Sequence, residues 1–219
     1  MIPTLDAEDE LPGALAAVNG SELIGEIVVS DGGSHDGTVA IAEAAGARIV
    51  AGPRGRGPQL IAGAAAAQGE WLLFLHADCR LAPGWDRAVA AFIEAPGAAE
   101  RAGYFGFALD DDEPAARRLE RLVDWRCRVF ALPYGDQGLL IARSLYDAAG
   151  GFAPMPLMED VDLVRRLGRR RLAPIAAQII ASARRYRRDG YFRRPLRNLL
   201  CLSLYFVGVP PTRIARLYG

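Results

Sequence analysis

The chain contains no lysine; all 26 of its basic residues are arginine. That excludes a P-loop, whose lysine reaches the phosphates, and no GK[ST] segment is present. Cysteine is scarce as well: Cys79, Cys127 and Cys201 are widely spaced and form no CxxC. An odd trio of this kind argues against a disulfide framework and fits a reducing compartment. With only His35 and His76 available, a zinc cage built from Cys and His is excluded. Glycine (24) and proline (14) are too few for a low-complexity chain. The apolar stretch Leu199 to Val209 is far shorter than the ~20 residues a helix needs to cross a bilayer. No signal peptide is expected, because the short apolar start runs at once into Asp6, Glu8, Asp9 and Glu10. The expected location is therefore the cytoplasm, with the inner face of the membrane as an option for the basic tail.

What is present is the make-up of one globular domain with a small appendage: 219 residues, 51% hydrophobic and 24% charged. A chain of this length buries roughly 70% of its unfolded surface and needs no staple. The net charge of zero hides a division. Residues 1 to 164 carry a net charge of −13, and residues 165 to 219, with 14 arginines and the single acid Asp189, carry +13. A basic tail of this kind has two readings: it meets an anionic partner, or it docks on the acidic remainder of its own chain.

Apolar periodicity predicts alternating strands and helices. Strands are expected at Ile2 to Leu5, Glu26 to Ser30, Arg48 to Ala51, Trp71 to His76, Tyr104 to Leu109, Gly138 to Ile141 and Ile175 to Ala181. Helices are expected near Glu8 to Val18, Thr38 to Ala45, Pro58 to Gln68, from Pro83 onward, and over Asp160 to Arg171. The fold class that follows is α/β, a mainly parallel sheet flanked by helices. The acidic loop Asp110 to Glu113 is the clearest surface break. Two units are expected: a catalytic domain over 1–182 and an Arg-rich, apolar helical extension over 183–219. That extension either lies in a membrane interface or packs on the domain.

In an open parallel sheet, ligands bind beyond the carboxyl ends of the strands. Asp6, Asp31 and Asp78 each follow an apolar strand, so the three acids should gather along one edge. Asp36, ahead of Gly37 and Thr38, reads as a helix cap. Gly32 and Gly33 after Asp31 make a turn with little bulk, open to a flat ligand. The glycines lack GxGxxG spacing, which excludes the dinucleotide fingerprint. Carboxylates plus ligand phosphates are how Mg²⁺ or Mn²⁺ is usually held, so a divalent cation with a diphosphate is the natural occupant near Asp78. A zinc site from His76, Asp78 and Cys79 is disfavoured, because successive residues on a strand point to opposite faces.

The ordered segments IPTLDAEDEL, VVSDGGSHDGT, GRGPQLIAGAAAAQGEWLLFLHAD, GDQG and MEDVDL together resemble the family-2 glycosyltransferases, nucleotide-sugar enzymes of the GT-A fold, over residues 2 to about 165. The closest similarity is to a bacterial subgroup found beside radical-SAM and arsenosugar biosynthesis proteins. The resemblance implies a nucleotide pocket from Pro3, Thr4, Leu5, Asp31, Gly32, Arg56 and Gln59, with Asp78 as the last acid of a metal-binding DxD. It implies Asp160 as catalytic base with Glu159 beside it, and Asp136 and Gln137 at the sugar or acceptor. Three departures stand out: His76 replaces the first Asp of DxD, Asp6 replaces a common Asn, and the chain begins inside its expected first strand. The QxxRW motif is absent, and Arg184 with Arg185 is its expected counterpart, a pair able to clamp phosphates.

The function implied is metal-assisted transfer of a sugar from a nucleoside-diphosphate donor to an unidentified acceptor, with inversion. Two other classes stay open: a nucleotidyltransferase, with GPRGRG at 52–57 as its partial loop, and a noncatalytic membrane-binding module. Nucleic acid is not expected as a partner, since base-stacking aromatics are sparse around the arginines.

Overall fold

The structure is a computed structural model, and it describes residues 1–218. The first three strands, β1 (Ile2–Thr4), β2 (Val28–Asp31) and β3 (Arg48–Ala51), pair in parallel in the order β1-β2-β3. Two connecting helices, α1 (Leu11–Val18) and α2 (Thr38–Ala44), alternate with them. Asp36 accepts the Thr38 amide and hydroxyl, but the N-cap of α2 is Gly37, so Asp36 stands one residue ahead of the cap position its sequence context suggests. Helix α3 (Arg56–Ala66) then returns the chain to β4 (Trp71–Phe74).

A second, five-stranded sheet follows in the order β4-β7-β6-β8-β5, with β5 at Cys79–Leu81, β6 at Ala102–Leu109, β7 at Leu139–Ala142 and β8 at Leu172–Ala181. Within it only β6 and β8 run parallel; the other three pairings are antiparallel. The two sheets join along β1 and β4. The Met1 amine donates to Leu73 O at 2.7 Å and the Leu75 amide to Met1 O at 3.0 Å, the spacing of one parallel rung. β1, β2 and β4 thus point their carboxyl ends the same way, which is what sets the site.

Helices α4 (Trp85–Glu94), α5 (Pro114–Phe130), α6 (Arg143–Ala148) and α7 (Glu159–Leu167) flank the second sheet. The α/β class and the flanking helices agree with the sequence. α5 was not expected, although its signals are orthodox. Pro114 opens it, Ala116, Leu119, Val123 and Cys127 form its buried stripe, and Ala131 ends it in the left-handed region.

Three helices close the chain: α8 (Arg184–Asp189), α9 (Arg193–Phe206) and α10 (Pro211–Tyr218). They pack rather than trail. Cys201, Leu202 and Ile214 bury against Leu157, Met158 and Val161 at the start of α7. Charge contributes too: Arg184 pairs with Asp9 and Glu10, and Arg187 with Asp111 in the acidic loop. Part of the basic tail therefore docks on its own acidic domain. No helix is long and apolar enough to cross a membrane among the described residues.

Candidate active site

A cleft of about 570 Å³ opens beyond the carboxyl ends of β1 and β4. Its walls come from five places in the chain: Pro3 to Asp6 at and beyond the end of β1, Arg54 to Arg56 with Gln59 at the start of α3, His76 to Asp78 after β4, Tyr134 and Asp136 before β7, and Pro156 to Met158 with Asp160 and Val161 entering α7. The tail supplies the remaining side through Ser182, Arg185, Tyr186, Arg194, Asn198 and Tyr218.

Asp31 is not on that wall. Its carboxylate accepts the amides of Gly33 (2.9 Å) and Ser34 (2.8 Å) and the hydroxyls of Ser34 (2.5 Å) and Thr4 (3.0 Å). Burial works against its charge, and the hydrogen bonds from Ser34, Thr4 and Gly33 outweigh it, holding the carboxyl below its ordinary range. Asp31 therefore fixes the turn after β2. Gly32 is also spent internally, since a Cβ there would stand 3.0 Å from the Gln59 amide nitrogen. Gln59 in turn donates to the Thr4 and Ser30 carbonyls, clasping the ends of β1 and β2 while still reaching the cleft.

Asp78 does face the cleft, with Arg185 at 3.7 Å from its Oδ2. Burial opposes its ionisation, but His76 and Arg185 prevail and keep its carboxyl below the usual value. His76, Asp78 and Cys79 offer ligand atoms within 4.8 Å of one another, contrary to the strand-alternation argument. The reason is local: β4 ends at Phe74, and a turn closed by the Cys79 amide on His76 O brings the three side chains round. Burial pushes the Cys79 thiol well up, so it stays protonated and is a poor ligand. Burial and the nearby Arg56 charge bring His76 down to about 4, leaving a neutral imidazole at physiological pH. An ionised carboxylate beside a neutral imidazole fits a divalent cation whose other positions go to water and phosphate oxygens.

Asp160 stands at the opening of α7, where Oδ2 accepts the Gly135 amide at 2.6 Å. A Cβ added to Gly135 would lie 2.7 Å from His76 Nε2 and 3.2 Å from Asp160 Oδ2, so this glycine is where the two side chains converge. Asp136 lines the same cleft, with one buried oxygen that has no hydrogen-bond partner, and burial raises its carboxyl to about 6. Glu159 lies apart from the main cleft, buried behind Arg56. Gln137 is likewise turned away: it accepts from Arg126 at 2.8 Å and donates to Phe105 O at 3.1 Å. Of the arginine pair, Arg185 faces the cleft and Arg184 is tied to α1.

Tyr134, Arg194, Asn198 and Tyr218 line the cleft without having been expected there. For two of them a signal existed: Arg194 and Asn198 are four apart on α9, polar positions on one helical face.

Residues 1–100 match the profile described as Glycosyl transferase family 2. No curated protein matches the chain. Among solved structures, S. aureus TarS 1-349 is similar with a TM-score of 0.63 and 16% identity, covering 99% of this chain and 68% of that one. Glucosyl-3-phosphoglycerate synthase from Mycobacterium tuberculosis, solved with Mn²⁺, UDP and glucosyl-3-phosphoglycerate, is similar with a TM-score of 0.55 and 21% identity, over 83% of this chain and 68% of that one. The fold is that of the GT-A glycosyltransferases.

Proposed function

We propose that the protein moves a sugar from a nucleoside-diphosphate donor to an acceptor hydroxyl, inverting the anomeric carbon. The observation that carries this reading is that Asp78, Arg185 and Asp160 share one cleft at the carboxyl edge of the sheet. A cation-binding acid, a phosphate-binding arginine and a second acid are the parts such a transfer needs.

Breaking the bond between sugar and diphosphate leaves negative charge on the diphosphate. Arg56 and Arg185, both on the cleft wall, receive that charge. A divalent cation held by Asp78 with His76 supplies further Lewis-acid stabilisation of the leaving group when bound. Pro3, Thr4, Leu5 and Gln59 hold the nucleoside end, and Asp136 orients the sugar or the acceptor. Asp160 takes the acceptor proton; the Gly135 amide holds the carboxylate in place through Oδ2. Attack from the face opposite the leaving diphosphate then inverts the centre in one displacement. Glu159, one residue before the base, acts from behind by bracing Arg56.

The test is thermal melting with UDP-, GDP- and dTDP-sugars, each with and without Mn²⁺. A donor at 100 times its Kd stabilises the fold by about 2.7 kcal/mol. One nucleotide is expected to raise Tm only when the cation is present, and no shift with any donor contradicts the reading.

A further inference from the structure

Helix α9 carries an apolar outer face as well as a buried inner one. Six of the eight exposed positions between 192 and 207 are apolar: Phe192, Leu196, Leu199, Leu200, Phe206 and Val207. Leu196, Leu199 and Leu200 have the i, i+3, i+4 spacing of one helical face. Meanwhile the inward side carries Arg194 and Asn198, both on the wall of the cleft. A helix that already buries Cys201 and Leu202 on its inner side and still displays three leucines on the outer one has an outer surface suited to an apolar partner.

Charge says what that surface meets. From residue 190 onward the chain has no acidic residue. Arg193, Arg213 and Arg216 are exposed at the ends of the apolar face and on α10, with no ion-pair partner among the described residues. A second copy of the chain laid against this face would bring like charges together. An anionic bilayer offers both requirements: acyl chains for the leucines and phosphates for the arginines.

We propose that the outer face of α9, with Arg193, Arg213 and Arg216, docks the protein onto an anionic phospholipid surface. The helix, about 21 Å long, lies in the interface plane and does not span it. Its inner face forms one side of the cleft, so docking holds that side of the cleft at the membrane surface. The inference is independent of the sugar-transfer reading, because lipid binding is measured without donor or acceptor.

The experiment is cosedimentation of the full chain with phosphatidylcholine vesicles, with and without roughly a third phosphatidylglycerol. Binding is expected only with the anionic lipid and should weaken as salt is raised. Each arginine near an anionic surface is worth about fivefold in affinity, so R213Q/R216Q together should lose about 25-fold. L196D/L199D should abolish binding while leaving the melting temperature within about 3 °C of the parent. Both doublets are on the surface and keep the variants folded, which the melt checks. Absence of binding to anionic vesicles, or binding that both doublets leave unchanged, overturns the proposal. So does a dimer in light scattering that L196D/L199D dissociates while no vesicle binding is seen.

Discussion

Arg56 Nε lies 3.5 Å from the Glu159 carboxylate, which is 1% exposed and makes no hydrogen bond through either oxygen. Glu159 is thus a buried acid whose one polar neighbour is an arginine on the cleft wall. Burial is the main cause of its carboxyl rising to about 7, with Arg56 pulling against that shift. The pair links stability to the site: the acid is costly to ionise, and its charge holds a donor-facing cation in place.

The sign of the pH effect follows. For an acid whose pKa is higher in the folded state, the folded chain binds more protons between the unfolded value, about 4.5, and about 7. Stability from this group is therefore full below pH ~4.5 and is lost as pH rises through 7. Glu159→Gln should remove that loss, so its melting temperature relative to the parent should climb between pH 5 and 8. A constant difference across that range contradicts the buried-acid account. Because the amide no longer braces Arg56, which receives charge on the leaving diphosphate, kcat should fall and the donor KM rise.

Asp160→Asn keeps the size of the side chain and its acceptor for the Gly135 amide. Turnover should fall by about 10² to 10⁴, while the donor Kd by calorimetry stays within about threefold of the parent. Near-normal turnover removes Asp160 from the role of base.

Gly135→Ala tests the convergence of His76 and Asp160. The new methyl meets the ends of two side chains rather than backbone, so folding should lose about 1–3 kcal/mol. Activity should drop by at least about tenfold, since a small displacement of reacting groups is costly. Full activity in a folded Gly135→Ala shows that the two side chains do not act together.

The cation is tested by Asp78→Asn. Mn²⁺-dependent stabilisation in the presence of donor should disappear, with Mn²⁺ binding followed directly by electron paramagnetic resonance. His76→Ala should weaken the ion by a smaller factor, because the carboxylate carries the charge.

Much of this architecture is legible in the residues. β3 has the bounds its β-branched run predicts, and β2, β7 and β8 fall close to theirs, because short apolar segments between turn residues leave few alternatives. The antiparallel insertion of β7 between β4 and β6 is not legible, since pairing direction depends on tertiary packing rather than on local pattern. Helix α5 is marked in the residues by Pro114 and the 116-119-123-127 stripe, signals that the acidic loop just before it outweighs in a local reading. Asp78 follows a strand, where a ligand-facing acid is expected, whereas Asp160 opens a helix, where an acid is commonplace, and only the family resemblance singles it out. Asp31 and Gln137 have the same polar context, yet their hydrogen bonds close inward on Thr4, Ser34, Arg126 and Phe105. Sequence cannot distinguish an acid that faces a ligand from one that ties down its own turn. The zinc argument failed at His76 and Asp78 for a related reason: the strand stops two residues before the rule was applied.

The central claim is that Asp78 and Asp160 act on one donor in one cleft. The most direct measurement incubates the protein with Mn²⁺, a nucleoside-diphosphate sugar that raises its melting temperature, and a pool of acceptors, with separate labels on sugar and nucleotide. Sugar label should leave the donor with release of the intact nucleoside diphosphate, and both Asp78→Asn and Asp160→Asn should lose that release. Nucleotide label appearing as a nucleoside triphosphate when pyrophosphate is supplied, or release unaffected by either substitution, contradicts it.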